Sequence, residues 1–334
     1  MRGVGRKGAR EDVAKRVLVT GCAGFIGSHL CEALLDRGDD VLGVDCFSDY
    51  YPRSLKEANV AAFSGRGRFR FVEADLAVAD LAPLLAGRSP VYHLAAQAGV
   101  RASWGTQFET YVHHNVRATQ NLLEALKRES GSRLVFASSS SVYGKSQPLP
   151  TPEDVILQPN SPYGATKVTG EHLCALYREN WGLDYVALRY FTVYGPRQRP
   201  DMGFHKFIRA ILEDRPLDVF GDGSQSRDCT YVADIVAATI QAGDARTRSQ
   251  VFNVGGGSRR PLSDVLGILE TVLGKRARIH YGPVEKGDVP HTHADISRSR
   301  EEFGYNPQTS VEEGLERQAR WLEASLRAPE RAPD

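Results

Sequence analysis

The chain has 334 residues, and 42 Lys and Arg against 41 Asp and Glu leave a formal charge of +1 at pH 7. So even a balance excludes the overall positive field that nucleic-acid and anionic-membrane binders use, and no nucleic-acid partner is expected. Hydrophobic residues make up 41% of the sequence, enough for a large core, yet no apolar run approaches the ~20 residues that span a bilayer.

The Gly/Arg-rich start lacks the apolar core of a signal peptide. A cytoplasmic protein with no membrane partner is the expectation. The five cysteines, Cys22, Cys31, Cys46, Cys174 and Cys229, are scattered and form no CxxC pair. That argues against a disulfide framework or a zinc site, and they are expected to be reduced and structural. His291 and His293 have no further ligands at useful spacing, so no metal is expected.

In chain order, residues 1–15 are basic and without periodicity, and 327-RAPERAPD-334 alternates proline with charge; both predict disordered tails. Between them β-branched runs alternate with amphipathic stretches: 17-VLVT-20, 26-IGSHLCEALLDRG-38, 41-VLGVD-45, 69-FRFVEAD-75, 91-VYHLA-95 and 134-LVFAS-138. This pattern predicts an α/β fold, a Rossmann-type doubly wound parallel sheet covered on both faces, over residues 16–190. After 184-DYVALRYF-191 come helices near Phe204–Glu213, Tyr231–Ala242, Leu262–Leu273 and Val311–Leu326, with short strands at 217-LDVF-220 and 251-VFNV-254. Residues 191–326 are expected to form mainly a smaller α/β lobe, with segments near 190–200 and 225–240 returning to the main domain.

In 17-VLVTGCAGFIGSHL-30 a strand runs through Gly21, Gly24 and Gly27 into a helix. Glycine permits the tight turn and lets backbone N–H groups approach a pyrophosphate, which the helix N-terminus then faces. The triplet alone is weak; the strand before it and the helix after it give it weight. Phe25 and Ile26 count with the loop as cofactor contacts. Asp45 ends the next strand at roughly the ~20-residue distance where a carboxylate accepts from the adenosine ribose hydroxyls, with capping of the following loop as the alternative. No arginine follows immediately to receive a 2′-phosphate, so NAD is favoured over NADP. Asp75, with Leu76, is expected on the adenine side, against a structural cap as the rival reading.

Tyr163 and Lys167 lie four residues apart in 161-SPYGATKVTGEHL-173, on one face of a helix that Ser-Pro begins. Such a pair is usually a surface pair. In a nicotinamide enzyme, however, an ammonium and the positive ring both favour the phenolate of a tyrosine whose ordinary pKa is ~10. The phenolate then takes a hydroxyl proton as hydride leaves the same carbon, while Lys167 also holds the nicotinamide ribose.

With the glycine loop, Asp45, 93-HLAA-96, Asn115 and Tyr163/Lys167 in this order, the chain resembles the extended short-chain dehydrogenase/reductase family that acts on nucleotide sugars. The resemblance runs over about residues 16–325 and continues in 189-RYFTVYGPRQRPDM-202 and 221-GDGSQSRDCTYVAD-234. It implies oxidation at C4 of a UDP-sugar by bound NAD, with Leu94, Ala95, Ala96, Asn115 and Tyr190 among the cofactor contacts. It also implies a homodimer through helices in Tyr111–Arg128 and Tyr163–Trp181. Leu122, Leu123 and Leu126 with Leu173, Leu176 and Tyr177 fit an intrachain core equally well.

In 137-ASSSSVYGKS-146, the family's Ser or Thr that assists the tyrosine corresponds to Ser139, four residues before Tyr143. The family's 4,6-dehydratases follow it with Asp and Glu, and its UDP-glucuronate decarboxylases keep a Glu at the second place. Here stand Ser140 and Ser141, neither of which can act as a carboxylic acid or carboxylate base. The resemblance therefore implies 4-epimerisation, in which a 4-keto sugar turns within the site and hydride returns to its opposite face.

The stretches 45-DCFSDYYPRSLK-56, 97-QAGVRASW-104 and Thr192 with 196-PRQR-199 are similar to UDP-glucuronate 4-epimerases, implying conversion of UDP-glucuronate to UDP-galacturonate. The C6 carboxylate calls for cations and hydroxyl donors, for which Arg199, Thr192, Ser140, Ser141 and Arg101 are candidates. Plain alternatives are ion pairs for the two arginines and strand-end packing for Thr192. Arg227 resembles the arginine that contacts the UDP phosphates, and Met202, Phe204 and Asp288 are candidate uridine contacts. A UDP-glucuronate decarboxylase, a neutral UDP-hexose 4-epimerase and a catalytically silent NAD-binding sensor are the competing readings.

Overall fold

The computed structural model describes residues 14–145, 147–257, 259–283 and 289–327. The tails expected at 1–13 and 328–334, and the contact expected of Asp288, lie outside the described residues. Lys15, counted with the first tail, is tied down instead: its backbone N–H donates to Asp39 at 2.9 Å and its Nζ to Asp244 at 2.7 Å. Arg327, counted with the second, ends the last helix.

The strands in chain order are β1 (Arg16–Thr20), β2 (Asp40–Asp45), β3 (Phe69–Glu73), β4 (Val91–His93), β5 (Arg133–Ser139) and β6 (Asp184–Tyr190). They are followed by β7 (Thr192–Tyr194), β8 (Leu217–Phe220), β9 (Ser226–Tyr231), β10 (Val251–Val254), β11 (Arg259–Pro261) and β12 (Ile279–Gly282). Seven of them form one parallel sheet in the order β3-β2-β1-β4-β5-β6-β10. This is the doubly wound, Rossmann-type sheet that the alternating runs predict.

Successive residues of a strand point to opposite faces, and here they supply two separate cores. Val17, Val19, Val135, Ala137, Val186 and Leu188 face helices Phe25–Asp36 and Val232–Asp244. Leu18, Leu134, Phe136, Tyr185 and Ala187 face helices Ala118–Leu126 and Pro162–Trp181. Both faces being covered explains why the strands read as nearly continuous apolar runs. Leu122, Leu123, Leu126 and Tyr177 are buried within the second core, whereas Leu176 and Trp181 are each 55% exposed.

The direction of winding reverses between β1 and β4, opening a crevice at their carboxyl ends. The C-terminal segments build two further sheets, β11-β9-β7 and β12-β8. β10, read with the smaller lobe, pairs with β6 at the edge of the main sheet. Its four residues, Val-Phe-Asn-Val, are too few to carry a periodicity that distinguishes the two places. Among the described residues no helix is long and apolar enough to cross a membrane.

Candidate active site

The crevice is floored by backbone. Gly21 has φ +71°, and a Cβ there would lie 2.7 Å from the Ala95 nitrogen. At Gly27 a Cβ would lie 2.1 Å from the Gly21 carbonyl oxygen. Only glycine therefore lets the loop, the helix Phe25–Asp36 and the exit of β4 approach this closely. No side chain caps that helix, so its first N–H groups are left facing the crevice, where an anion satisfies them.

All the expected cofactor residues except Asn115 line this inner cleft. Asp45 accepts from the backbone N–H of Ala23 at 3.1 Å and of Phe47 at 2.9 Å. It caps the following loop, as the alternative reading held, steadies the glycine loop and lines the cleft as well. Burial raises its carboxyl pKa, opposed by the Phe47 N–H and the Lys56 ammonium. Asp75 bonds His113 Nε2 at 2.7 Å and accepts from Ala77 N–H at 2.9 Å. Asn115 lies in a π-helical turn, Val112–Arg117. Its amide is taken up by the Gln97 N–H (2.7 Å), the Gln97 carbonyl (3.0 Å) and Thr166 Oγ1 (2.9 Å). It ties the helix of Tyr163 to the strand end and does not line the cleft.

Ser161 caps helix Pro162–Trp181 by accepting from Gly164 N–H at 3.1 Å. Tyr163 and Lys167 project from it into the cleft. Lys167 Nζ donates to the Ala137 carbonyl at 2.9 Å. Burial pulls its pKa down to about 8, against the charge of Glu171. For Tyr163, burial raises the pKa while a hydrogen bond with Ser139 and the charge of Arg199 lower it. The charge of Arg199 thus bears on the phenol, while the Lys167 ammonium is bonded to β5. Tyr111 meets the Tyr163 ring edge-on with centroids 6.2 Å apart.

The serines at the end of β5 divide their tasks. Ser138 donates to Glu171 behind the cleft, and Ser139 accepts from Ser141 N–H at 3.1 Å. Ser140 and Ser141 line an outer cleft together with Thr192 and Arg227. Its described lining contains no Asp or Glu. Arg199 lines the inner cleft and is ion-paired with Asp201, Nε to Oδ1 at 2.9 Å and Nη2 to Oδ2 at 3.0 Å.

Residues 17–255 match the model of the NAD dependent epimerase/dehydratase family. The chain belongs to that family. An uncharacterized UDP-glucose epimerase of Bacillus subtilis, YtcB, is 46% identical over 309 residues, covering 92% of this chain and 98% of the relative. The UDP-glucuronate 4-epimerase of Thermodesulfobacterium geofontis is 41% identical over 315 residues, 92% of this chain and 96% of its own. The crystal structure of the Bacillus cereus UDP-glucuronic acid 4-epimerase with UDP-glucuronic acid and NAD superposes with a TM-score of 0.89 at 43% identity, covering 93% of this chain and 99% of that one.

Within this epimerase/dehydratase chain, some expected substrate residues stand elsewhere. Arg101 packs over the Phe220 ring, 4.3 Å from its centroid, and lines neither cleft. Met202 precedes helix Gly203–Leu212, and the Phe204 side chain is buried against Tyr194; neither is among the residues lining the clefts. Arg227 lines the outer cleft and donates to the Ser226 carbonyl at 3.0 Å and the Pro290 carbonyl at 3.1 Å. His291, also at the outer cleft, bonds Ser226 Oγ at 2.8 Å. The sequence reading missed Tyr50, Tyr51, Lys56 and His114, all of which line the inner cleft. The first three lie in or just beyond 45-DCFSDYY-51, where the strand-to-helix position after Asp45 was the available signal.

Proposed function

We infer that this chain is a UDP-glucuronate 4-epimerase, an isomerase that uses bound NAD and interconverts UDP-glucuronate and UDP-galacturonate. The observation that carries this reading is the pairing of Tyr163 and Lys167, with Ser139 hydrogen-bonded to the tyrosine, with an outer cleft whose lining, among the described residues, has hydroxyls and no carboxyl group. The inner cleft fits a dinucleotide: close-packed glycines, uncapped helix N–H groups and the Asp45 carboxylate stand where pyrophosphate and ribose require them. NAD, when bound there, accepts a hydride from C4 and returns it.

The protein's own groups do the rest. Tyr163, hydrogen-bonded with Ser139, holds the proton of the C4 hydroxyl and gives it back at the end. Lys167 supplies a buried positive charge and holds the nicotinamide ribose. Ser140, Ser141 and Thr192 donate to polar groups of the sugar, and Arg199 offers its guanidinium to the C6 carboxylate. Arg227 holds the diphosphate. With no carboxylic acid among the described residues of the outer cleft, none of them assists elimination of water or proton transfer at C5, and the 4-keto sugar is left to turn.

The reading is tested by offering UDP-glucuronate, UDP-glucose and UDP-N-acetylglucosamine separately. UDP-glucuronate is expected to have a kcat/KM at least about tenfold above the neutral sugars, the ratio that ~1.4 kcal/mol of carboxylate recognition supplies. A neutral UDP-hexose is the second reading. It is favoured by the likeness to YtcB and by Asp201, which already gives Arg199 a carboxylate partner.

We also propose a homodimer in the cytoplasm. The exposed Leu176 and Trp181 on helix Pro162–Trp181 support the dimer, and the five free cysteines support a reducing compartment. Sedimentation showing a monomer at micromolar concentration would contradict the former.

A further inference from the structure

A guanidinium has two bidentate edges, and in Arg199 the protein itself occupies one. Nε and Nη2 are held by the two oxygens of Asp201 at 2.9 and 3.0 Å. The Nη1–Nη2 edge is the other fork that matches a carboxylate. Asp201 is itself fixed, because the Tyr50 hydroxyl donates to its Oδ2 at 3.0 Å. Tyr50 comes from the loop after β2, and its hydroxyl packs against Gly99, so closely that a Cβ there would lie 2.3 Å from it. Its ring also sits against the guanidinium, with Cζ 5.6 Å from the centroid. Arg199 is therefore held along one edge and one face.

We propose that Asp201, backed by Tyr50, is a positioning residue that aims the open edge of Arg199 at the C6 carboxylate of the substrate and so keeps the 4-keto intermediate from losing CO2. This rests on the reading of Arg199 as the carboxylate clamp. The intermediate is a β-keto acid. When its C5–C6 bond stands perpendicular to the C4 carbonyl plane, that bond breaks and CO2 departs. The electron pair spreads as an enolate over C5, C4 and O4, and C5 takes a proton from solvent to give a 4-keto pentose. A guanidinium held in one direction keeps the carboxylate near the carbonyl plane. A loose one binds the carboxylate equally well and follows it as it rotates. Removing Asp201 is accordingly expected to spare binding and damage selectivity, a split that general loosening of the loop does not produce.

The test measures UDP-pentose plus UDP-4-keto-pentose against UDP-galacturonate, formed from UDP-glucuronate, for wild type, Asp201→Asn, Asp201→Glu, Tyr50→Phe and Arg199→Ala. The expected result is a pentose ratio raised about tenfold in both Asp201→Asn and Arg199→Ala. A smaller rise is expected in Tyr50→Phe and recovery in Asp201→Glu, with the KM of Asp201→Asn no higher than wild type. If Arg199→Ala raises the ratio while Asp201→Asn and Tyr50→Phe, with wild-type melting, leave it unchanged, the role given to Asp201 is wrong and the clamp stands. If Arg199→Ala itself leaves the ratio unchanged, the clamp is wrong and the role of Asp201 falls with it.

Discussion

The ammonium of Lys167 donates to the carbonyl oxygen of Ala137 at 2.9 Å, which pins the helix of Tyr163 to β5 just before Ser139. Burial brings this lysine down to about 8 from an ordinary 10.5. The positive charge that Lys167 brings to the cleft is therefore lost as pH rises through about 8, and with it the hold on the cofactor, so kcat is expected to fall there. Stability moves the other way. Between about 8 and 10.5 the unfolded chain binds the proton that the folded chain has released, so unfolding free energy from this group rises with pH. Urea unfolding of wild type and Lys167→Met across that range checks the sign, since the variant should lack this part of the slope.

Behind the cleft, Arg189 holds Glu171 through two bonds of 2.9 and 2.7 Å, and both side chains are buried. Glu171→Gln leaves the guanidinium buried without its counter-charge and is expected to cost about 3–5 kcal/mol. Glu171→Met combined with Arg189→Met should recover most of that loss, because desolvation of both charges is removed together. A double variant no more stable than the single would contradict this.

Gly27→Ala places a methyl group against the Gly21 carbonyl, 2.1 Å from its oxygen. The loop must move away from the helix N-terminus, and the purified protein is expected to lose its bound NAD. The 260/280 nm absorbance ratio and released-cofactor assays measure this, and full retention of NAD would contradict it.

Ser139→Ala removes the hydrogen bond that lowers the pKa of Tyr163. Since the tyrosine works as a base when ionised, its pKa rises and the ascending limb of the pH profile should move to higher pH. The rate at neutral pH then falls about tenfold. A uniform loss of rate with an unmoved limb would assign Ser139 to substrate binding instead.

The main sheet was legible because parallel strands covered on both faces must be apolar along their length, as 134-LVFAS-138 is. The glycine loop and the Tyr163/Lys167 pair were legible because their chemistry dictates residue type and spacing together. Asn115 was placed in the cofactor's contact shell, yet a π-helical turn directs its amide to Gln97 and Thr166. No pattern of side chains announces such a turn. The pairing of Arg199 with Asp201, and of Glu171 with Arg189, depends on where loops and strands meet. The sequence named Arg199 while leaving its partner unseen. Phe204 was read for its neighbourhood, and its apolar ring took the core position that its chemistry favours.

The most direct measurement follows UDP-glucuronate carrying deuterium at C4, incubated with the protein as purified and without added NAD, by NMR. Oxidation and return of the same hydride predict UDP-galacturonate with the deuterium still on C4 and none released to water. UDP-pentose as the main product, or UDP-galacturonate whose C4 deuterium has exchanged with solvent, would contradict it.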